Sequence, residues 1–311
     1  MKPAQRVKQE EAAPSLVPPS PSIELIPNGH GRYNLKDQPR DVVRIFHSAL
    51  LYFFGDIARE HALPGIDKRT EFATNALLCA ADDLSLPRIA ERVNNDMDYR
   101  MALITLLTAR LSTFRGNVKD AAVASLYGMY KVQNGCGDRV AGLLKGQTFI
   151  YQVKPDVRCR HLLPCPPGKP NYSKPFMHPA VGTVLAHFFK GRGNDSFGSR
   201  IENLLPRNKD TDEIELPKAM IALACTAIWS ALSDWATGTH IHSDFEGSKV
   251  LDNYQTHITV LDMLAGKPAK YQEMMDFLVQ AATTNSTFSG AKAATASQMQ
   301  QDALAMLDIE D

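Results

Sequence analysis

The sequence predicts an all-α protein: a single globular helical domain of about seven to nine helices, with a disordered N-terminal tail and a Pro-rich central loop. Three observations predict it. Apolar residues recur at spacings of three and four along most of residues 40–282, the period of a helix with one buried face. No stretch shows the strict apolar–polar alternation of a half-buried strand. The composition, 44% apolar and 22% charged over 311 residues, is that of a chain able to fill a core.

Residues 1–36 contain Pro14, Pro18, Pro19, Pro21 and Pro27 and little apolar periodicity, so they read as a disordered tail. Two short patterns there are candidate modification sites. Val7-Lys8-Gln9-Glu10 fits attachment of a small ubiquitin-like modifier at Lys8, and Ser20-Pro21 fits proline-directed phosphorylation of Ser20. The helical domain is expected over 37–282. Val42, Ile45, Phe46, Ala49, Phe53 and Ile57 mark a first helix from Arg40 to His61, stopped by Pro64-Gly65. A second, Lys68 to Asp82, carries Phe72, Ala76 and Cys79 as its stripe, with Pro87 beyond its end. From Asp98, Ile104, Leu107, Leu111 and Phe114 share a face; Gly116 interrupts, and Val118, Ala122, Leu126 and Met129 carry the period to Tyr130. Asn134-Gly135-Cys136-Gly137 then forces a turn.

Residues 154–178 hold six prolines and read as an extended connection. After it, Pro179 opens a helix with Val181, Val184, Leu185 and Phe188 on one face, ended by Gly191. Pro217 opens another, with Ile221, Cys225, Ile228, Leu232 and Trp235 as a buried stripe and Gly238 past its end. Being apolar almost all round, it is expected at the centre of the domain. Two weaker helices follow at 247–264 and 268–282. Residues 283–311 form a linker and a short acidic amphipathic segment, in which Leu304, Leu307 and Ile309 are candidate partner-binding residues.

The order of these elements resembles a family of uncharacterised proteins abundant in mushroom-forming fungi, known only as a domain of unknown function. The segment Leu111 to Lys119, with its Arg115-Gly116, is similar to that family's Arg-Gly helix end. So are the aromatic positions Tyr127 or Tyr130 and Phe149-Ile150-Tyr151, then His178-Pro179-Ala180, Phe188-Phe189, the apolar helix from Ala219 and Trp235-Ala236-Thr237-Gly238. Tyr254 falls at the family's last aromatic landmark. The resemblance covers residues 95–265, implies a helical domain of fungal source and carries over no catalytic residue.

Charge and motifs narrow the function. Lysine plus arginine equals aspartate plus glutamate, 34 each, which excludes the strongly basic character typical of nucleic-acid binders but leaves room for local patches. Arg110, Arg115 and Lys119 are the candidate phosphate contacts of such a patch. Cys159, His161 and Cys165 offer three metal ligands in seven residues but lack an evident fourth, with His178 and Cys136 the nearest options. His240-Ile241-His242-Ser243-Asp244 resembles a metallohydrolase ligand run, yet the sequence reads better as a polar loop. Gly191-Arg192-Gly193-Asn194-Asp195 follows a helix rather than preceding one, unlike a phosphate-cradling loop, and no nucleophile elbow occurs. With no signal-like start and no run of roughly 20 apolar residues, the chain is expected in the nucleus or cytoplasm, away from membranes. The expectation is a non-catalytic protein-interaction or regulatory module without metal or cofactor, holding an unidentified protein partner. A nucleic-acid-binding, nucleocapsid-like protein is the alternative, and an enzyme comes third.

Overall fold

A computed structural model of the chain describes residues 23–153, 169–190, 205–207 and 214–282. The described residues form helices joined by short turns, with three isolated bridges and no strand: α1 (Arg40–Arg59), α2 (Ile66–Asp83), α3 (Pro87–Asn95), α4 (Met97–Tyr130), α5 (Gly137–Leu144), α6 (Pro179–Lys190), α7 (Lys218–Ser233), α8 (Gly247–Ala265) and a further run, α9, over 268–282. Two short 3-10 turns, Leu35–Asp37 and Lys145–Ile150, complete them.

The side chains divide into two packed cores. In the first, Val42, Ile45, Phe46 and Phe53 of α1 meet Phe72 and Leu77 of α2, Ile89 and Val93 of α3, and Leu103, Leu107 and Leu111 of α4. In the second, Val118, Ala122 and Leu126 of α4 meet α5 to α9 around α7. Thirteen of the sixteen residues of α7 are buried, which explains its apolar character on every side. α4 serves both cores because the helix continues unbroken past Gly116, with half-buried Phe114 packed against both. The expected interruption there does not occur, since one glycine costs only about 1 kcal/mol in a helix anchored at both ends. Asp96 starts α4 by accepting from the N–H of Tyr99 at 3.0 Å.

Several expectations need correction. Cys79 is exposed: the inward face of α2 is Phe72, Ala73, Ala76, Leu77 and Ala80, and position 79 falls outside that arc. Met129 is likewise 42% exposed, its place at the end of the α4 stripe being taken by buried Tyr130. Trp235 is only partly buried, because α7 ends at Ser233 and the indole belongs to the following turn. α3 and α5 are additional helices. The tail boundary also moves: within 23–36, Ile26 donates to Gln38 Oε1 at 2.9 Å and accepts from Gln38 Nε2 at 2.8 Å, and Glu24 pairs with Arg92 at 2.7 Å. Those contacts hold residues from 23 onward against the domain. Residues 1–22, most of the Pro-rich connection and 283–311 lie outside the described residues, as do Lys8, Ser20, Cys159, His161, Cys165, Leu304, Leu307 and Ile309.

Candidate functional site

A cleft of about 840 Å³ opens where the two cores meet. Its walls are the α1–α2 connection at Leu63–Gly65, Arg69 of α2, the face of α4 from Ser112 to Asp120, and the loop leading into α8. That loop is folded by its own backbone and by one carboxylate. Gly238, at φ +84°, accepts from the N–H of Gly135 at 2.7 Å, and a Cβ on Gly137 would lie 3.2 Å from the nitrogen of Gly238. Only glycines permit so close a crossing. Asp234, just past α7, then takes the N–H of Ile241 on its carbonyl (2.7 Å) and the hydroxyl of Ser243 on Oδ1 (2.5 Å).

Lys119 completes this arrangement from α4. Its Nζ donates to the Ser243 carbonyl at 2.5 Å and sits 3.2 Å from the Ser243 hydroxyl. It also lies 2.7 Å from Asp234 Oδ2, out of hydrogen-bond alignment, so this attraction is Coulombic. The side chains of Lys119 and Asp234 are 4% and 1% exposed. A buried pair of this kind fixes geometry, and the group reads chemically as a clasp that closes the loop at the base of the cleft.

The open part of the cleft has a different character. Arg115 donates through Nη2 to the carbonyl of Ala62 at 3.1 Å, while its Nη1 rests against Gly247, where an added Cβ would lie 3.0 Å away. Arg69 stands beside it. Burial, and then the charge of Arg69, push Arg115 down to about 10. Neither arginine forms an ion pair among the described residues, and the Nε of each is buried without a hydrogen-bond partner. Gly247 is the first residue of α8, whose N-cap, Glu246, supplies no side-chain capping bond. Two guanidinium groups therefore share a cleft with the positive end of a 19-residue helix. Such an arrangement attracts an anion. Asp120, Asp244 and Glu246 stand on the rim; Glu246 is paired with Lys249 at 2.7 Å, and His242 is 3.8 Å from Asp244.

The three sequence candidates for phosphate contact do not form one strip. Arg110 is exposed on α4 away from the cleft, Arg115 lines it, and Lys119 is buried in the clasp. Of the histidine run, His242 and Asp244 reach the rim while His240 lies against Trp235, ring centres 5.1 Å apart. The described residues contain no group of three or more His, Cys, Asp or Glu placed to hold a metal. Sequence reasoning missed Arg69, Asp234 and Gly247. A basic residue in the first turn of a helix is an unusual placement, and that was the one signal Arg69 offered.

Over residues 49–264 the chain matches the family described as a domain of unknown function, DUF6532. The chain belongs to this family. Every residue lining the cleft falls inside the matched span, so the cleft is a feature of the DUF6532 domain rather than of its flanks. No curated protein and no solved structure matches the chain. No helix among the described residues is long and apolar enough to cross a membrane.

Proposed function

We propose that the protein is a non-catalytic helical interaction module, acting in the nucleus or cytoplasm, and that its DUF6532 domain receives an anionic group of a protein partner in the cleft. One observation carries the reading: Arg69 and Arg115 line one cleft with the N-terminus of α8, close enough for the charge of Arg69 to act on Arg115, without a carboxylate pairing with either among the described residues. Repulsion between the two cations is relieved when an anion enters. A non-catalytic role is supported by the clasp, because the hydroxyl hydrogen of Ser243 is directed at Asp234 and Lys119 is held by that same carboxylate.

The test is photocrosslinking in an extract of the native source, with a benzophenone amino acid at Ser112 on the cleft wall, with and without nuclease. A discrete polypeptide adduct that resists nuclease and vanishes with Arg69→Glu is the expected result. An adduct made of nucleic acid, or one indifferent to Arg69→Glu, overturns the reading in favour of a nucleic-acid interface or of no cleft contact.

A further inference from the structure

We propose that the anion taken by the cleft is a phosphomonoester carried on a polypeptide, a phosphoserine or phosphothreonine. This rests on the reading that the cleft takes a protein partner. Three properties of the site select this group. The first is charge: two guanidinium groups and a helix N-terminus converge, and a phosphomonoester near neutral pH brings about −1.5 to −2 charges where a carboxylate brings one. The second is donor number. Arg69 and Arg115 bring forked N–H groups to the cleft, and the first turn of α8 lies on its wall, where the N–H of Lys249 is taken by the Glu246 carbonyl at 3.1 Å and those of Gly247 and Ser248 have no partner within the helix. Ser248 adds a hydroxyl at the wall. Such a set suits three phosphate oxygens better than two carboxylate oxygens.

The third property excludes a polyanion. Asp120, Asp244 and Glu246 stand around the mouth, so a nucleic-acid backbone with one phosphate in the cleft would bring its neighbouring phosphates against carboxylates. A single phosphate seated between the arginines, on an otherwise uncharged or basic segment, brings no neighbouring phosphates against those carboxylates. The surface leading away fits a polypeptide too. Ser112, Gly116, Asp120, Val123 and Tyr127 lie at helical spacing along one outward face of α4, and Val123 and Tyr127 are 37% and 70% exposed. From Asp120 to Tyr127 the helix rises about 10 Å, a reach of roughly three residues of extended chain. A phosphorylated residue in the cleft thus places an apolar residue a few positions away over Tyr127.

The experiment measures retention of degenerate peptide pools by the immobilised full chain. One pool has a central phosphoserine, one serine and one glutamate, and single-stranded DNA and RNA are run alongside. The phosphoserine pool should be retained about tenfold better than the other two, with inorganic phosphate competing. Arg69→Gln and Arg115→Gln should each abolish that preference, with a melting temperature recorded for both; the Arg69 side chain makes no hydrogen bond among the described residues, so its variant stands if Arg115→Gln is unstable. Tyr127→Ala should weaken peptide retention without changing competition by inorganic phosphate. Equal retention of all three pools overturns the proposal, as does tighter, Arg69-dependent binding of DNA or RNA. A nuclease-resistant, Arg69-dependent adduct at Ser112 that survives phosphatase treatment of the extract overturns the phosphate while leaving the interaction reading standing. Loss of the adduct in untreated extract removes both.

Discussion

Tyr254 and Arg115 hold the two polar groups of one residue: the Tyr254 hydroxyl accepts from the N–H of Ala62 at 3.1 Å, and Arg115 Nη2 donates to the Ala62 carbonyl at 3.1 Å. Ala62 lies in the turn between α1 and α2, Arg115 on α4 and Tyr254 on α8, so the two bonds stitch the junction of the cores. Tyr254→Phe leaves a buried N–H unpaired and should cost about 1–3 kcal/mol in urea denaturation. A loss below the measurement error would show that the turn is held by packing alone.

The clasp should respond differently to single and to paired substitution. Lys119→Met strands the Asp234 carboxylate in a site 1% exposed, and Asp234→Leu strands the ammonium; each should lower stability by about 3–5 kcal/mol. The double variant should recover much of that loss, while the loop at 241–246 becomes more susceptible to protease because Ser243 has lost both anchors. A double variant as unstable as the sum of the two singles would show that the pair does not couple.

Gly182 of α6 faces Ala281 of α9 so closely that a Cβ on it would lie 2.4 Å from the alanine methyl. Gly182→Ala should therefore destabilise by about 1–3 kcal/mol through overpacking. Adding Ala281→Gly should restore most of the loss, and thermal melts of the two variants decide it.

Acid should weaken the fold through two histidines. Burial lowers His178 to about 4 and His257 to about 3, from an ordinary value of 6.5. Above pH 6.5 the imidazoles are neutral in both folded and unfolded chains and contribute no pH dependence. Below it the unfolded chain takes up protons that the folded chain refuses, so stability falls with pH by about 1.4 kcal/mol per unit for each histidine until the folded values are reached. His257, fully buried between Phe149 and Phe176 with neither ring nitrogen hydrogen-bonded, is the cleaner probe. His257→Leu should reduce the slope of melting temperature against pH between 6.5 and 5, His178 and the half-buried His61, also lowered by burial, keeping the rest of it; an unchanged slope would assign the acid response to other groups.

The long helices were legible because their bounds are chemical: Pro64-Gly65 stops α1, and Pro179 and Pro217 open α6 and α7, in the sequence itself. α3 and α5 are nine and eight residues, too short for an apolar stripe to repeat beyond two turns, and periodicity marks neither. Trp235 shows the limit of periodicity, which carries the stripe of α7 two positions beyond its last helical residue, Ser233. The cleft was less visible still. Arg115 stood out by charge, but its partners Arg69 and Gly247, and the Lys119–Asp234 clasp, join segments distant in the chain, and only the packing of α2, α4 and α8 brings them together.

The continuity of α4 has a mechanical consequence. Its 34 residues extend about 50 Å, and the two cores grip opposite ends of that rod. Neither core can swell or tilt without levering the other, because no hinge separates them. The cleft sits at the fulcrum, beside Gly116. A molecule held there touches the rod and the loops of both cores at once, so its binding should slow solvent exchange of backbone amides far from the bound group.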